Sequence, residues 1–252
     1  MKKQEIEINL NDFPPQLHHH LRSGKVFDSS CSAEAKTLYC DAGYYIKTAP
    51  KGELAREAAL GRCFHGLGLG VEVLQYISDQ RDDLVTRSAE GEDLTHFLED
   101  PELVCRVLAE GLRTLHSRSS ADVPVSSKFS DYEDHSGFNQ YLCMDFIGIH
   151  SREEALQIIR ANEGKLKTDT LVHGDACLPN IICRAGKFAA FIDCGLAGAG
   201  DRHMDLFWAI WSLQFNLKTE GYTDHFLDLY GRDRVDMELL KTVAALELLG
   251  GE

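Results

Sequence analysis

LVHGDACLPNIICRAGKFAAFIDCGLAGAGDRHMD, residues 171–205, carries the densest chemical pattern in the chain. An apolar pair, Leu171–Val172, runs into His173-Gly174-Asp175, and Asn180 follows that aspartate after a short gap. Two brief apolar runs, Asn180–Cys183 and Phe188–Ile192, are joined by Arg184-Ala185-Gly186-Lys187, a composition suited to a hairpin. The second run ends on Asp193, and Gly195 completes an Asp-x-Gly.

This order of groups matches a kinase catalytic loop, a hairpin and a metal-binding Asp-x-Gly. Phosphoryl transfer asks a protein mainly for positioning and for charge stabilisation around Mg²⁺. One carboxylate must face the attacking hydroxyl, and Asp175 is the candidate. Asn180 and Asp193 offer a neutral and a charged oxygen ligand, the donor type that hard Mg²⁺ prefers. The intervening hairpin returns the chain so that the three side chains can meet. In the bland reading, His173 and Asp175 cap a turn and Asp193 ends a strand; the complete ordered set makes that the weaker account.

HGDACLPNI and FIDCG, continued by GDRHMD and DHFLDLYG, resemble the aminoglycoside 3′-phosphotransferases, antibiotic-resistance enzymes of bacteria with a protein-kinase-like fold. The resemblance covers most of the C-terminal half and extends more weakly through the N-terminal half. It implies an α+β, two-lobed fold. Residues 1–90 would form a small antiparallel-sheet lobe with one helix that binds nucleotide. Residues 91–252 would form a larger, mostly helical lobe for catalysis and substrate. It implies ATP or GTP as donor, Mg²⁺ as cofactor, and a cationic aminoglycoside as acceptor.

The same resemblance assigns further residues. Ser30 and Ser32 fall in Asp28–Ala33, where a kinase fold places its phosphate-covering loop. Lys47, in Tyr45-Ile46-Lys47, would contact the α- and β-phosphates. Glu57, on a helix expected over Glu53–Phe64, would pair with that lysine, with Glu53 one turn earlier as the alternative. Backbone groups around Ser88 and Ala89 would bind the adenine edge at a hinge. Asp205 would hold amides of the catalytic loop, with capping of the helix Leu206–Leu217 as the plainer alternative. His173 would support the same loop. Glu247 stands where the family places a substrate-binding acid. The family's arginine after Asp-x-Gly is Leu196 here, its Arg-Asp pair is Trp211-Ser212, and the second acid of its C-terminal pair is Leu248. An acceptor such as choline, homoserine or a sugar is therefore a second reading, and a catalytically silent nucleotide-binding module a third.

The remainder of the chain sets bounds. At 252 residues it can bury a sizeable core. A formal charge of −14 disfavours nucleic acid and suits a polycation, although acidic proteins often carry such charge for solubility alone. No apolar run approaches membrane-spanning length, and Met1–Pro15 lacks an apolar signal core. Eight cysteines without CxxC spacing read as reduced thiols, so a cytoplasmic monomer or weak dimer is expected.

Strands are expected at Lys25–Phe27, Lys36–Cys40, Tyr44–Thr48, Val71–Ile77 and Leu84–Thr86, with Asp79–Asp82 turning between the last two. Helices are expected at Pro101–His116, Ser151–Asn162, Tyr222–Tyr230 and Asp236–Leu249. Ser151 and Glu154 suggest a capping box. His116 reads as structural, His18-His19-His20 as a solvated patch, and Glu153, Glu154 and Glu163 as a solvated face or substrate acids.

Overall fold

The computed structural model describes residues 4–30, 35–122 and 137–250. Its fold is mixed, with a sheet-rich N-terminal part and a helical C-terminal part. The chain divides into two compact units, Met1–Ala89 and Glu90–Glu252.

The first unit is built on six antiparallel strands: β1 (Gln4–Glu5), β2 (Val26–Asp28), β3 (Lys36–Cys40), β4 (Tyr44–Pro50), β5 (Val73–Ser78) and β6 (Arg81–Arg87). Their spatial order is β1-β2-β3-β4-β6-β5. Alternation along the strands separates two apolar faces. Leu38, Ile46 and Val85 pack with Leu17, Leu21 and Val26 from the N-terminal segment. Ala49 and Leu84 pack with Leu54 and Ala58, at the start of α2 (Ala55–Gly66). Lys47 pairs in register with Leu84, so it stands on the face that α2 covers.

Two expectations need correction in this unit. Asp82 is not in a turn: it lies within β6, fully buried, and its Oδ2 accepts hydrogen bonds from Gly52 N, Leu54 N and Tyr76 Oη, each at 2.9 Å. It thereby anchors the entry to α2, whose first N–H groups have no intrahelical partner. The histidine run is a solvated patch only in part: His19 is exposed and His18 half-buried, but His20 is not at the surface. It forms the short α1 (His18–Leu21), with His20 buried edge-on to Tyr44.

The second unit holds α3 (Pro101–Leu115), α4 (Arg152–Asn162), α5 (His203–Leu217), α6 (Thr223–Tyr230) and α7 (Met237–Gly250). Helix α3 packs on α6, and α7 packs on both α4 and α5. Helical spacing over α3 predicts an inner stripe of Leu103, Val107, Leu108, Leu112 and Leu115; the last four are buried, whereas Leu103 is half-buried and its neighbour Val104 takes the inner place. Ser151 caps α4, accepting from Glu154 N at 3.3 Å, and the Glu154 carboxylate accepts the backbone N–H of Ser151 in return, as the capping box requires, and that of His150 at 2.9 Å. Helix α5 starts at His203, earlier than expected, which puts Asp205 inside its first turn rather than at its cap.

Between the helices lie five short strands: β7 (Glu92–Asp93), β8 (Thr170–Val172), β9 (Ile181–Arg184), β10 (Lys187–Phe191) and β11 (Gly198–Gly200). β9 and β10 form the hairpin, with Arg184 paired to Lys187 across Ala185-Gly186. Both turn residues have positive φ, 50° and 74°, as a type I′ turn requires. β11 pairs antiparallel with β8, Gly198 opposite Val172 and Gly200 opposite Thr170. The stretch 171–205 therefore closes on itself.

Candidate active site

Asp175 sits on a loop fixed from one side by a buried carboxylate. Asp205, with no exposed surface, accepts His173 N at Oδ2 and Gly174 N at Oδ1, both at 2.8 Å. His116 Nε2 reaches the same Oδ2 at 3.0 Å, and His116 Nδ1 lies 2.8 Å from the hydroxyl of Tyr230. Burial pushes the Asp205 carboxyl up, but the hydrogen bond and charge of His116, aided by His173, outweigh it and hold Asp205 below the ordinary carboxylate range. Burial likewise raises the Tyr230 phenol to about 12. Gly174 adopts φ +84°, and a Cβ there would collide with the carbonyl oxygen of Leu196.

His173 links this anchor to the Asp-x-Gly. Its Nδ1 accepts from Asp175 N at 3.3 Å, so Nε2 carries the proton and donates to Ile192 O at 3.0 Å. Ile192 N in turn donates to Asn180 O at 3.0 Å. Residue 192 is thus held on both sides, and the adjacent Asp193 is brought beside the Asp175 loop. Asp193 itself is exposed and left-handed, at φ 56°, ψ 53°. Asn180 Nδ2 donates to Asp175 Oδ2 at 2.8 Å and to Asp175 O at 3.0 Å. That contact aims the Asp175 carboxylate and leaves the Asn180 amide oxygen as the ligand-type atom.

These donors fit Mg²⁺. Asn180 and Asp193 are hard oxygen ligands, and such sites commonly use one or two carboxylates plus substrate phosphates and water. Among the described residues no cluster of three or more His, Cys, Asp or Glu side chains could hold a metal unaided.

In the first unit, Lys47 Nζ meets Glu57 Oε2 at 2.7 Å, and both side chains are largely buried. Glu53, the alternative, is exposed in the turn before α2. Ser30 N donates to Asp28 Oδ1 at 2.9 Å, and its hydroxyl accepts from Thr37 N at 3.0 Å, so this side chain closes the loop between β2 and β3. Ser32 lies outside the described residues. Ser88 N donates to Gly43 O at 2.9 Å, which leaves the Ser88 carbonyl and the half-buried Ala89 for other partners.

Glu247 was expected to face substrate. It is mostly buried on α7, and its Oε1 accepts the indole N–H of Trp208 at 2.9 Å. Ser212 is part of the loop's mounting: its hydroxyl accepts Leu178 N at 2.9 Å.

A family model for the phosphotransferase enzyme family APH matches residues 33–240. The chain belongs to that family. This phosphotransferase is 41% identical over 98% of both chains to a Lactococcus lactis protein described as a probable aminoglycoside 3′-phosphotransferase. An aminoglycoside 3′-phosphotransferase of Niallia circulans is 31% identical over 66% of each chain. Among solved structures, an aminoglycoside phosphotransferase from Streptomyces rimosus shares the fold at TM-score 0.72 and 20% identity, covering 97% of this chain and 99% of that one. The same protein has been solved in complex with ADP and streptomycin.

Several supporting groups of this phosphotransferase escape a reading by motif. Asp201 accepts Lys167 N at 2.9 Å and the ring of His203, whose Nε2 accepts Asp236 N at 2.9 Å. This buried pair ties the approaches to β8, α5 and α7 together. Its local signal is the Asp201-Arg202-His203 of GDRHMD, but the partners Lys167 and Asp236 lie far along the chain. Tyr230 and Ser212 gave no local signal, because their partners are remote in sequence.

Proposed function

We propose that the protein transfers the γ-phosphate of ATP or GTP to a hydroxyl of an aminoglycoside, with Mg²⁺ held by Asn180 and Asp193. The observation that carries this reading is the Asp175 carboxylate, oriented by Asn180 on a loop mounted on Asp205. The acceptor oxygen bonds to the γ-phosphorus as the bridging bond to the nucleoside diphosphate breaks. The acceptor's proton passes to Asp175. Bound Mg²⁺ would supply charge neutralisation on the phosphate oxygens. Lys47, steadied by Glu57, adds fixed positive charge for the α- and β-phosphates, and the backbone at Ser88 and Ala89 receives the base. His173 and Asp205 position the loop without touching substrate. The names of the Lactococcus and Niallia relatives favour an aminoglycoside as acceptor.

Because Glu247 is bonded to Trp208 and Leu196 is exposed, another hydroxylated amine is the second reading. A soluble monomer or weak dimer in the cytoplasm completes the proposal. Among the described residues, no helix is long and apolar enough to cross a membrane.

Asp175→Asn tests the assignment. Loss of the proton acceptor should lower kcat by about 10²–10⁴-fold, with the circular-dichroism spectrum and nucleotide affinity retained. Near-normal turnover in that variant would exclude Asp175 as the base. Nucleoside diphosphate release, followed over aminoglycosides, choline, homoserine and sugars with both nucleotides, identifies acceptor and donor.

A further inference from the structure

Three large hydrophobic side chains stand out as exposed among the described residues: Tyr141 at 92%, Phe215 at 56% and Leu196 at 48%. Leu196 and Phe215 belong to segments that touch the Asp175 loop, and Tyr141 is held by the helix that carries Phe215. The carbonyl of Leu196 lies against Gly174. Phe215 stacks on Trp211, ring centroids 5.0 Å apart and 13° from parallel. The indole N–H of Trp211 donates to the carbonyl of Tyr141 at 3.0 Å. On the same helix, α5, Trp208 O faces the Cys177 thiol at 3.9 Å and the Ser212 hydroxyl takes Leu178 N. Residues 208, 211, 212 and 215 recur at one-turn spacing, so the groups that mount the loop and the exposed aromatic groups share one helix face.

Exposed apolar side chains on the segments that support a candidate catalytic carboxylate have the character of a ligand wall. Its electrostatics restrict the ligand. Trp208, whose carbonyl faces the Cys177 thiol two residues after Asp175, also holds the Glu247 carboxylate through its indole N–H at 2.9 Å, so this helix face carries acidic ground. Lys218 holds its ammonium 4.2 Å from the centre of the Phe215 ring, so the stack already accepts a cation.

We propose that Tyr141, Leu196 and Phe215 form the acceptor-binding wall, selecting a compact ring compound that offers an apolar C–H face together with ammonium and hydroxyl groups. The wall packs on the ring face, and the acidic ground behind it holds the ammonium. This deepens the acceptor reading above and rests on it. It places specificity in stacking as well as in charge.

The test uses Tyr141→Ala/Phe215→Ala and Leu196→Ala in the full chain, with kanamycin as acceptor probe. The double variant should raise the KM for kanamycin about tenfold, as expected when two ring contacts are removed, with the KM for nucleotide within twofold. Leu196→Ala should move the kanamycin KM in the same direction by less. A kanamycin KM within twofold in the double variant overturns the proposal. So does a self-association of the unaltered protein that the double variant abolishes while KM stays constant, since the surface then serves a second copy. If kanamycin is not a substrate but another hydroxylated amine is, the aminoglycoside reading fails alone and the same KM comparison is made on that acceptor. If nothing is phosphorylated, kanamycin quenching of the two tryptophans reads binding directly. Quenching lost in the double variant supports the wall, and equal quenching in both proteins, or none in either, overturns it.

Discussion

The loop that carries Asp175 is mounted on buried polar groups, whereas the groups beside it for ligands are exposed. The mounting comprises Asp205, His116, His173 and Tyr230, and its hydrogen-bond partners are found within the protein. The exposed set comprises Asp193, Leu196, Tyr141 and Phe215. Buried polar groups are costly unless paired, so the mounting admits few changes. Exposed groups carry little folding free energy and can vary with the ligand. On the function proposed above, the contrast separates two jobs: the mounting aims the reacting carboxylate, and the exposed groups decide what reaches it.

Removing the centre of the mounting should have the largest effect on stability. Asp205→Ala leaves two loop amides and His116 without their acceptor. It should cost about 3–5 kcal/mol, the range for breaking a buried charged pair, read by urea unfolding. The pH dependence carries a definite sign. The folded Asp205 carboxyl is depressed, so its contribution is complete above the unfolded aspartate value, about 3.9, and is lost as pH falls through the folded value. Asp205→Asn should therefore flatten the acid limb of stability against pH and leave neutral pH behaviour unsloped. An unchanged acid limb would remove Asp205 from the anchoring role.

Gly174→Ala comes next. The positive φ and the approach of the Leu196 carbonyl both oppose a side chain, and strain of this kind costs about 1–3 kcal/mol. Tm and kcat should fall together, because the loop must shift to admit the methyl group. Tyr230→Phe removes only the hydroxyl facing His116 and should cost about 1 kcal/mol. The wall variants of Tyr141, Phe215 and Leu196 should change stability by less than about 0.5 kcal/mol while altering acceptor KM. A large loss of stability in those variants would erase the distinction between the two sets.

Much of the site was legible because it is local. Ala185-Gly186 announces its hairpin through the turn it must make, and the hairpin brings Asn180 and Ile192 into hydrogen-bonding register. Most of the stripe on α3 follows from period, with Val104 buried where the spacing pointed to Leu103. The mounting was less legible. His116 and Tyr230 are 114 positions apart, and Asp205 is 89 from His116. No window along the chain contains both partners. Asp82 was misassigned for the same reason: its charge suggested a turn, while the amides and phenol that satisfy it come from Gly52, Leu54 and Tyr76. The bond between Glu247 and Trp208 was equally invisible, because the two lie on different helices 39 positions apart.

The amino-acid order alone determined which groups the proposed chemistry can draw on, the carboxylates of Asp175 and Asp193, the amide of Asn180 and the ammonium of Lys47, with the turn and strand signals that set each on its element. Packing decided which of these groups are aimed and which remain exposed. It paired Lys47 with Glu57 rather than Glu53, turned Glu247 toward an indole, and left Tyr141, Leu196 and Phe215 exposed. The reason is that local preferences act over a few residues, whereas burial and hydrogen-bond satisfaction are properties of neighbours in space.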